Sequence, residues 1–289
     1  MPKIIIFILI ILCLTSTNCF SQNSKQISKK GFVSQKDYFV EIPFNYIEKH
    51  IFIEVVISDK KYNFLFDTGY EISAIDLDIA KEINYKLKKE IELYGSSVSS
   101  QKVNLIELPN ISISNINFEK TYGMLQDLFF IKRNYETIKI SGVVGNNLMR
   151  KTNWQIDYKK KVICISDIMD KFEMPPTSKI VKMNNENWGL GYLDIQIKDK
   201  NHKFIFDTGS SGKFTANNSF IEYLNEKNTI SPELKQTFPV DKIKIGQIEL
   251  TNQSIVLEKG VSSLIGNAFF ENYLLTVDWN KNILYLTPN

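Results

Sequence analysis

The sequence predicts an all-β protein made of two similar halves, with few and short helices. Three observations carry this reading. Apolar runs of strand length recur along the chain between polar turns. A segment near residue 60 is repeated, almost residue for residue, near residue 200. Helical periodicity shows at only two places, Asp76 to Lys89 and Ser219 to Lys227, both short.

In chain order, Lys3 is followed by the apolar run Ile4 to Leu14 and then by the small, polar stretch Thr15 to Ser21. Residues 1–21 therefore read as a secretory signal peptide, because the run is too short to cross a bilayer. Cleavage after Ser21 removes Cys13 and Cys19 and leaves Cys164 alone, so no disulfide is expected within the mature chain. The alternative keeps Cys19 as a lipid-bearing N-terminus. The chain is accordingly expected to be exported, either periplasmic or secreted, or anchored to a membrane through Cys19. Residues 22–37, polar and lysine-bearing, are expected as a flexible leader.

The repeat organises everything beyond this point. Ile53 to Gly69 parallels Leu193 to Gly209, each a strand pattern, a polar Asp-Lys turn and a second apolar strand. That second strand is Phe64-Leu65-Phe66 or Phe204-Ile205-Phe206, and each runs straight into Asp-Thr-Gly. The offset is 207 − 67 = 140 residues. A hairpin thus delivers an aspartate to a loop, twice. Each half also closes alike: Gly142-Val143-Val144-Gly145-Asn146 matches Ser263-Leu264-Ile265-Gly266-Asn267, and 12 residues beyond each glycine lie Asp157 and Asp278 at the start of a terminal hairpin. Between the halves, Met174-Pro175-Pro176-Thr177 cannot continue a ladder, since proline lacks the amide hydrogen. The expected organisation is a first lobe over 38–166, a linker over 167–178 and a second lobe over 179–289.

Composition narrows the chemistry. A formal net charge of +3 spread along 289 residues gives no electrostatic footprint for nucleic acid. Two histidines, His50 and His202, and three cysteines cannot furnish a zinc framework and leave little for a histidine-based triad. Carboxylates remain. Two carboxyl groups held within hydrogen-bonding distance cannot both ionise, so they retain one proton between them. One then acts as base toward a water while its partner acts as acid toward a carbonyl oxygen, with no cofactor or metal required.

Phe66-Asp67-Thr68-Gly69 with Val143-Val144-Gly145, and Phe206-Asp207-Thr208-Gly209-Ser210 with Leu264-Ile265-Gly266, resemble the aspartic peptidases, specifically the retropepsin-like lobes of bacterial exported proteins that carry two such lobes in one chain. The resemblance runs from about Tyr38 to Pro288. It implies two homologous retropepsin/pepsin-like β-barrel lobes related by pseudo-twofold symmetry, with a central cleft for an extended peptide or protein substrate. By that similarity Asp67 and Asp207 are the catalytic pair, Thr68 and Thr208 lock the two loops together, and the Gly145 and Gly266 segments pack behind them. Gly69 and Gly209, lacking side chains, let backbone amides approach the carboxylates. With both half-sites in one chain, a monomeric endopeptidase is expected. Two rivals are a non-catalytic peptide-binding module that keeps the fold, and a glycosidase using the same two acids.

Two departures from the family pattern stand out. Ser210 fits it, as a hydroxyl donor to Asp207, but Tyr70 occupies the matching place in the first half. A phenol there is expected either to narrow the cleft or to remove a stabilising hydrogen bond and raise the pKa of Asp67. The candidate flap is Tyr94-Gly95-Ser96, a glycine-serine hairpin tip in the first half; Thr229 to Asp241, with Pro232 and Pro239, offers no counterpart. His50 and His202 read as solvated turn residues, Asp157 and Asp278 as strand ends, and Trp154, Trp188 and Trp279 as packing groups. Phe129 and Phe130, within Leu125 to Ile131, read as a core strand in preference to a cleft wall.

Overall fold

The computed structural model describes residues 29–94, 100–135, 137–184, 189–217, 220, 223, 235–258 and 260–289. Strands dominate it, in two sheets of 11 and 12 strands. The alternation noted in the sequence does the sorting. In His50–Ile57 the side chains of Ile51, Ile53, Val55 and Ile57 face one buried cluster, and Phe52 faces another. Lys60–Phe66 divides the same way: Phe64 and Phe66 point inward, while Leu65 joins Phe52 on the opposite face. Each fully buried phenylalanine contributes roughly 2–3 kcal/mol by removal from water.

Both halves curl into barrels. In the second, Tyr192–Ile197, Lys200–Phe206, Leu264–Ile265, Phe214–Ala216, Ile248–Leu257 and Gln236–Ile245 pair in that order, and the last pairs again with the first. The first follows the same circuit through His50–Ile57, Lys60–Phe66, Ile140–Val144, Ala74–Asp76, Tyr122–Gln126 and Ser100–Glu107. Its closure runs through Ile111–Ile113, which returns to His50–Ile57. The long hairpin of the second half is thus broken in the first into two shorter steps.

The terminal hairpins and one flanking strand from each half merge into a common six-stranded layer. Its order is Lys179–Asn184, Ile283–Pro288, Tyr273–Asp278, Asn153–Asp157, Val162–Ser166 and Phe39–Pro43. At its centre Gln155 lies opposite Thr276, and the Gln155 side chain donates to the Thr276 hydroxyl at 2.8 Å. These residues are 276 − 155 = 121 apart, the offset that also relates Gly145 to Gly266, so the twofold relation passes between them. Asp157 and Asp278 end their strands as expected, each accepting the turn amide three residues on at 2.9 Å.

Several expectations change. The helix expected over Asp76 to Lys89 is one turn, Leu77–Ala80; Lys86–Tyr94 is instead a strand paired with Ser100–Glu107. The charged run Lys86-Leu87-Lys88-Lys89 has no apolar stripe for a helix to bury, whereas a ladder satisfies its backbone. Of the helix expected over Ser219 to Lys227, the described residues are Phe220 and Tyr223, both helical, and the rest lies outside the described residues. Part of the expected leader is laid on the protein: Phe32–Val33 pairs with Phe118 and Glu119, and the Asp37 amide donates to Asp167 at 2.7 Å. Phe129 and Phe130 are not core. They sit on a short helix, Phe129–Lys132, at 62% and 47% exposure, with Ile131 the buried member.

Candidate active site

The two Asp-Thr-Gly loops meet where the barrels touch. Each aspartate follows a strand anchored by ring packing: Phe66 packs on Trp154 with ring centroids 5.0 Å apart, and Phe206 on Phe270 at 4.9 Å. The Asp67 amide donates to Val144 O and the Asp207 amide to Ile265 O, both at 3.0 Å. The hydrophobic-hydrophobic-Gly segments are therefore what the loops lean on.

The threonines interlock. Thr68 N–H donates to Thr208 Oγ1 at 3.0 Å and Thr208 N–H to Thr68 Oγ1 at 2.9 Å. Each hydroxyl then donates across the interface, Thr68 to Phe206 O at 2.7 Å and Thr208 to Phe66 O at 2.9 Å. Both side chains are buried, so the exchange takes place away from water. Behind it, Asn146 Nδ2 donates to Thr68 O at 2.7 Å and Asn267 Nδ2 to Thr208 O at 2.6 Å. Those asparagines follow Gly145 and Gly266 directly, and the repeat contained them.

This lock sets each carboxyl group against the glycine of the opposite loop, so that Asp67 and Asp207 lie side by side at the join. Gly69 N–H donates to Asp67 Oδ1 at 2.7 Å and Gly209 N–H to Asp207 Oδ1 at 2.9 Å. The glycines serve a second purpose the sequence did not suggest: a Cβ at Gly69 would fall 2.6 Å from Asp207 Oδ1, and one at Gly209 would strike Asp67. Each loop must be bare for the opposite carboxylate to arrive. Burial, and then the neighbouring charge of Asp207, hold the pKa of Asp67 well above the ordinary carboxylate range. Burial pushes that of Asp207 up to about 6, against the pull of Asp67's hydrogen bond and of the Gly209 and Ser210 amides. Asp67 is 7% exposed while Asp207 is partly open to solvent. Such a pair can hold one proton and polarise one water.

Tyr70 and Ser210 differ from expectation. The Tyr70 ring packs on the second apolar cluster, beside Ile72 and Met124, and its hydroxyl donates to Gln126 Oε1 at 3.1 Å. The ring and the hydroxyl both fasten the first loop to its own barrel. Ser210 meets Asp207 through its backbone amide, and its hydroxyl accepts from Gly212 N–H at 3.4 Å. Of the candidate flap, Tyr94 pairs with Ser100 at the end of its hairpin, while Gly95 and Ser96 lie outside the described residues, as does Trp188.

His50 was missed. It opens strand His50–Ile57, half-buried, with Nε2 3.0 Å from Gly209 O and Nδ1 2.7 Å from the Tyr135 hydroxyl. A carbonyl can only accept, so Nε2 carries the hydrogen and Nδ1 accepts from Tyr135. Burial lowers the His50 pKa, which favours this neutral form. The turn position of His50 in the sequence carried no sign of a contact 159 residues away. His202 is likewise no solvated turn residue: it lies on strand Lys200–Phe206 against the rings of Phe220 and Tyr223. Among the described residues, no cluster of three His, Cys, Asp or Glu side chains is arranged to hold a metal ion.

Residues 53–148 match a family model described as aspartyl protease. The matched segment, about a third of the chain, holds Asp67-Thr68-Gly69 and Val143-Val144-Gly145 and lies wholly in the first half. It supports a protease, hence a hydrolase, at that level. No curated protein matches the chain.

Proposed function

We propose that the chain is an aspartic endopeptidase in which Asp67 and Asp207 together activate one water against a peptide carbonyl. The carrying observation is the placing of each carboxyl group against the opposite Asp-Thr-Gly loop by a reciprocal threonine lock. In this mechanism the pair enters with one proton. The ionised member takes a proton from water, and the protonated member gives its proton to the scissile carbonyl oxygen. The new C–O bond forms as the C=O π bond opens to a tetrahedral diol. Collapse of the diol breaks the C–N bond, the proton taken up by the base goes to the leaving amine, and a proton from the diol restores the pair.

A raised pKa in both members keeps a shared proton present at pH values where an ordinary aspartate would be ionised. Activity therefore falls on the acid side, when both are protonated, and on the alkaline side, when the shared proton is lost. The substrate is a peptide or protein in extended conformation, and the reading includes export and a monomeric enzyme with both half-sites in one chain. The alternative, a peptide-binding module that keeps the fold without turnover, takes its sequence argument from Tyr70 and is separated from the enzyme by the assay below.

Incubation with an unstructured polypeptide tests the proposal. Cleavage is expected in the wild type, with a loss of roughly 10³-fold or more in both Asp67→Asn and Asp207→Asn. Persistence of cleavage in either variant, or its absence in the wild type over the whole pH range, would refute it.

A further inference from the structure

We infer that Tyr158 is a positioning residue: its hydroxyl, in the first lobe, fixes the side-chain amide of Asn267 in the second, and that amide holds the Thr208–Gly209 peptide whose N–H binds the Asp207 carboxylate. The inference rests on the reading of Asp67 and Asp207 as the peptidase pair.

Every link is a hydrogen bond. Tyr158 Oη donates to Asn267 Oδ1 at 2.7 Å. Asn267 Nδ2 donates to Thr208 O at 2.6 Å and, back in the first lobe, to Lys49 O at 2.7 Å. The Thr208 carbonyl and the Gly209 N–H belong to one peptide unit, and that N–H donates to Asp207 Oδ1 at 2.9 Å. An amide side chain has one accepting and one donating end. Two carbonyls face the Asn267 nitrogen and take both of its hydrogens, so the oxygen turns toward Tyr158. A donor on that oxygen polarises the amide and strengthens its N–H groups, and the same cooperativity passes through the Thr208–Gly209 peptide. Asn267 and Tyr158 are both buried, so the chain of bonds lies away from water.

The first half lacks this arrangement. Asn146 Nδ2 holds Thr68 O at 2.7 Å and Gly69 N–H reaches Asp67 Oδ1, as their counterparts do. In the place of Tyr158, however, stands Trp279 (279 − 158 = 121). Among the described residues neither Trp279 Nε1 nor Asn146 Oδ1, both buried, has a hydrogen-bond partner. The tyrosine-asparagine bond thus belongs to the second loop alone. Tyr158 is itself held in the turn between strands Asn153–Asp157 and Val162–Ser166, its ring edge-on to Phe44 at 6.2 Å and to Tyr46 at 5.6 Å. The Tyr46 hydroxyl donates in turn to Glu271 of the second lobe at 2.8 Å. By this route the seating of one lobe on the other reaches the Asp207 loop and not the Asp67 loop.

The sequence contains two Thr-Gly peptide bonds, Thr68–Gly69 and Thr208–Gly209. Full chain isotope-labelled at threonine carbonyl carbon and glycine nitrogen therefore gives two NMR amide signals, one per loop, and Thr68→Ser, which removes the label from the first, assigns them. In Tyr158→Phe the Gly209 signal is expected to move upfield, the direction of a weakened hydrogen bond, while the Gly69 signal stays. On a peptide, kcat is expected to fall about 10-fold with KM within about 2-fold, as for a group that acts through the reacting carboxylate and not on binding. Added to Asn267→Ala, Tyr158→Phe should lower kcat no further, since its route is already gone. An unmoved Gly209 signal, equal movement of both signals, or a kcat loss that multiplies with that of Asn267→Ala overturns the inference. Should Tyr158→Phe not fold, fluorotyrosine in place of Tyr158 decides: its hydroxyl is the stronger donor, so the Gly209 signal should move downfield, and an unmoved signal overturns the inference equally. Should Asn267→Ala not fold, the two signals of Tyr158→Phe decide alone. If the wild type cleaves nothing, the peptidase reading falls, and the amide signals still decide the role of Tyr158.

Discussion

Replacing Thr68 by valine keeps the shape of the side chain and deletes its hydroxyl. That hydroxyl accepts from Thr208 N–H at 2.9 Å and donates to Phe206 O at 2.7 Å. Both partners belong to the other lobe, and the threonine is buried, so water cannot replace what is lost. Leaving a buried donor or acceptor unpaired costs about 1–3 kcal/mol each, which makes the expected loss roughly 2–6 kcal/mol. Against a total stability of about 5–15 kcal/mol, this is a large share. Thr208→Val orphans Thr68 N–H and Phe66 O by the same geometry, so its cost should agree within about 0.5 kcal/mol. Thr68→Ser keeps the hydroxyl and should lose less than about 1 kcal/mol. Urea unfolding followed by tryptophan fluorescence reads all three. A loss below about 1 kcal/mol in Thr68→Val, or equal losses for serine and valine, would show that the lock does not hold the lobes together.

Further outcomes follow from the same coordinates. The raised pKa of Asp67 means that folding takes up protons between the unfolded and folded values: its contribution to stability is complete below the unfolded pKa and is lost as pH rises through the folded one. Asp67→Asn should therefore gain stability relative to wild type between pH 4 and pH 8, measured by thermal melting; a constant difference across that range contradicts the assigned direction. Gly69→Ala places a carbon 2.6 Å from Asp207 Oδ1, and should cut kcat about 100-fold with circular dichroism unchanged. Phe129→Ser, at an exposed site, should change stability by less than about 0.5 kcal/mol, whereas Phe66→Ala should cost roughly 3–5 kcal/mol. Near-equal effects in that pair would restore Phe129 to the core.

The site was legible because its chemistry is local and occurs twice. Phe66-Asp67-Thr68-Gly69 and Phe206-Asp207-Thr208-Gly209 each combine a strand and a loop within four residues, and the 140-residue offset ties them into one frame. The terminal hairpins were legible for the same reason. Errors arose where identical local patterns have different outcomes. Lys86 to Lys89 fits a charged helix as well as an edge strand, and only pairing with Glu107 and Leu105 selects the strand. Phe129 and Phe130 look like core by composition, yet a helix one turn long can bury only one face, and Ile131 takes it.

What the residues determined alone was the repeated unit: strand, aspartate loop, and the hydrophobic-hydrophobic-Gly-Asn segment that supports it, since backbone alternation and side-chain type settle these within a few positions. Three matters waited for the tertiary structure. They are the crossing of the threonine hydroxyls between lobes, the bareness that each glycine grants the opposite carboxylate, and the reach of His50 to Gly209. All three are contacts between residues 138 to 159 positions apart, and at such separations distance in space is set by how the barrels close, about which neighbouring residues in the chain carry no information.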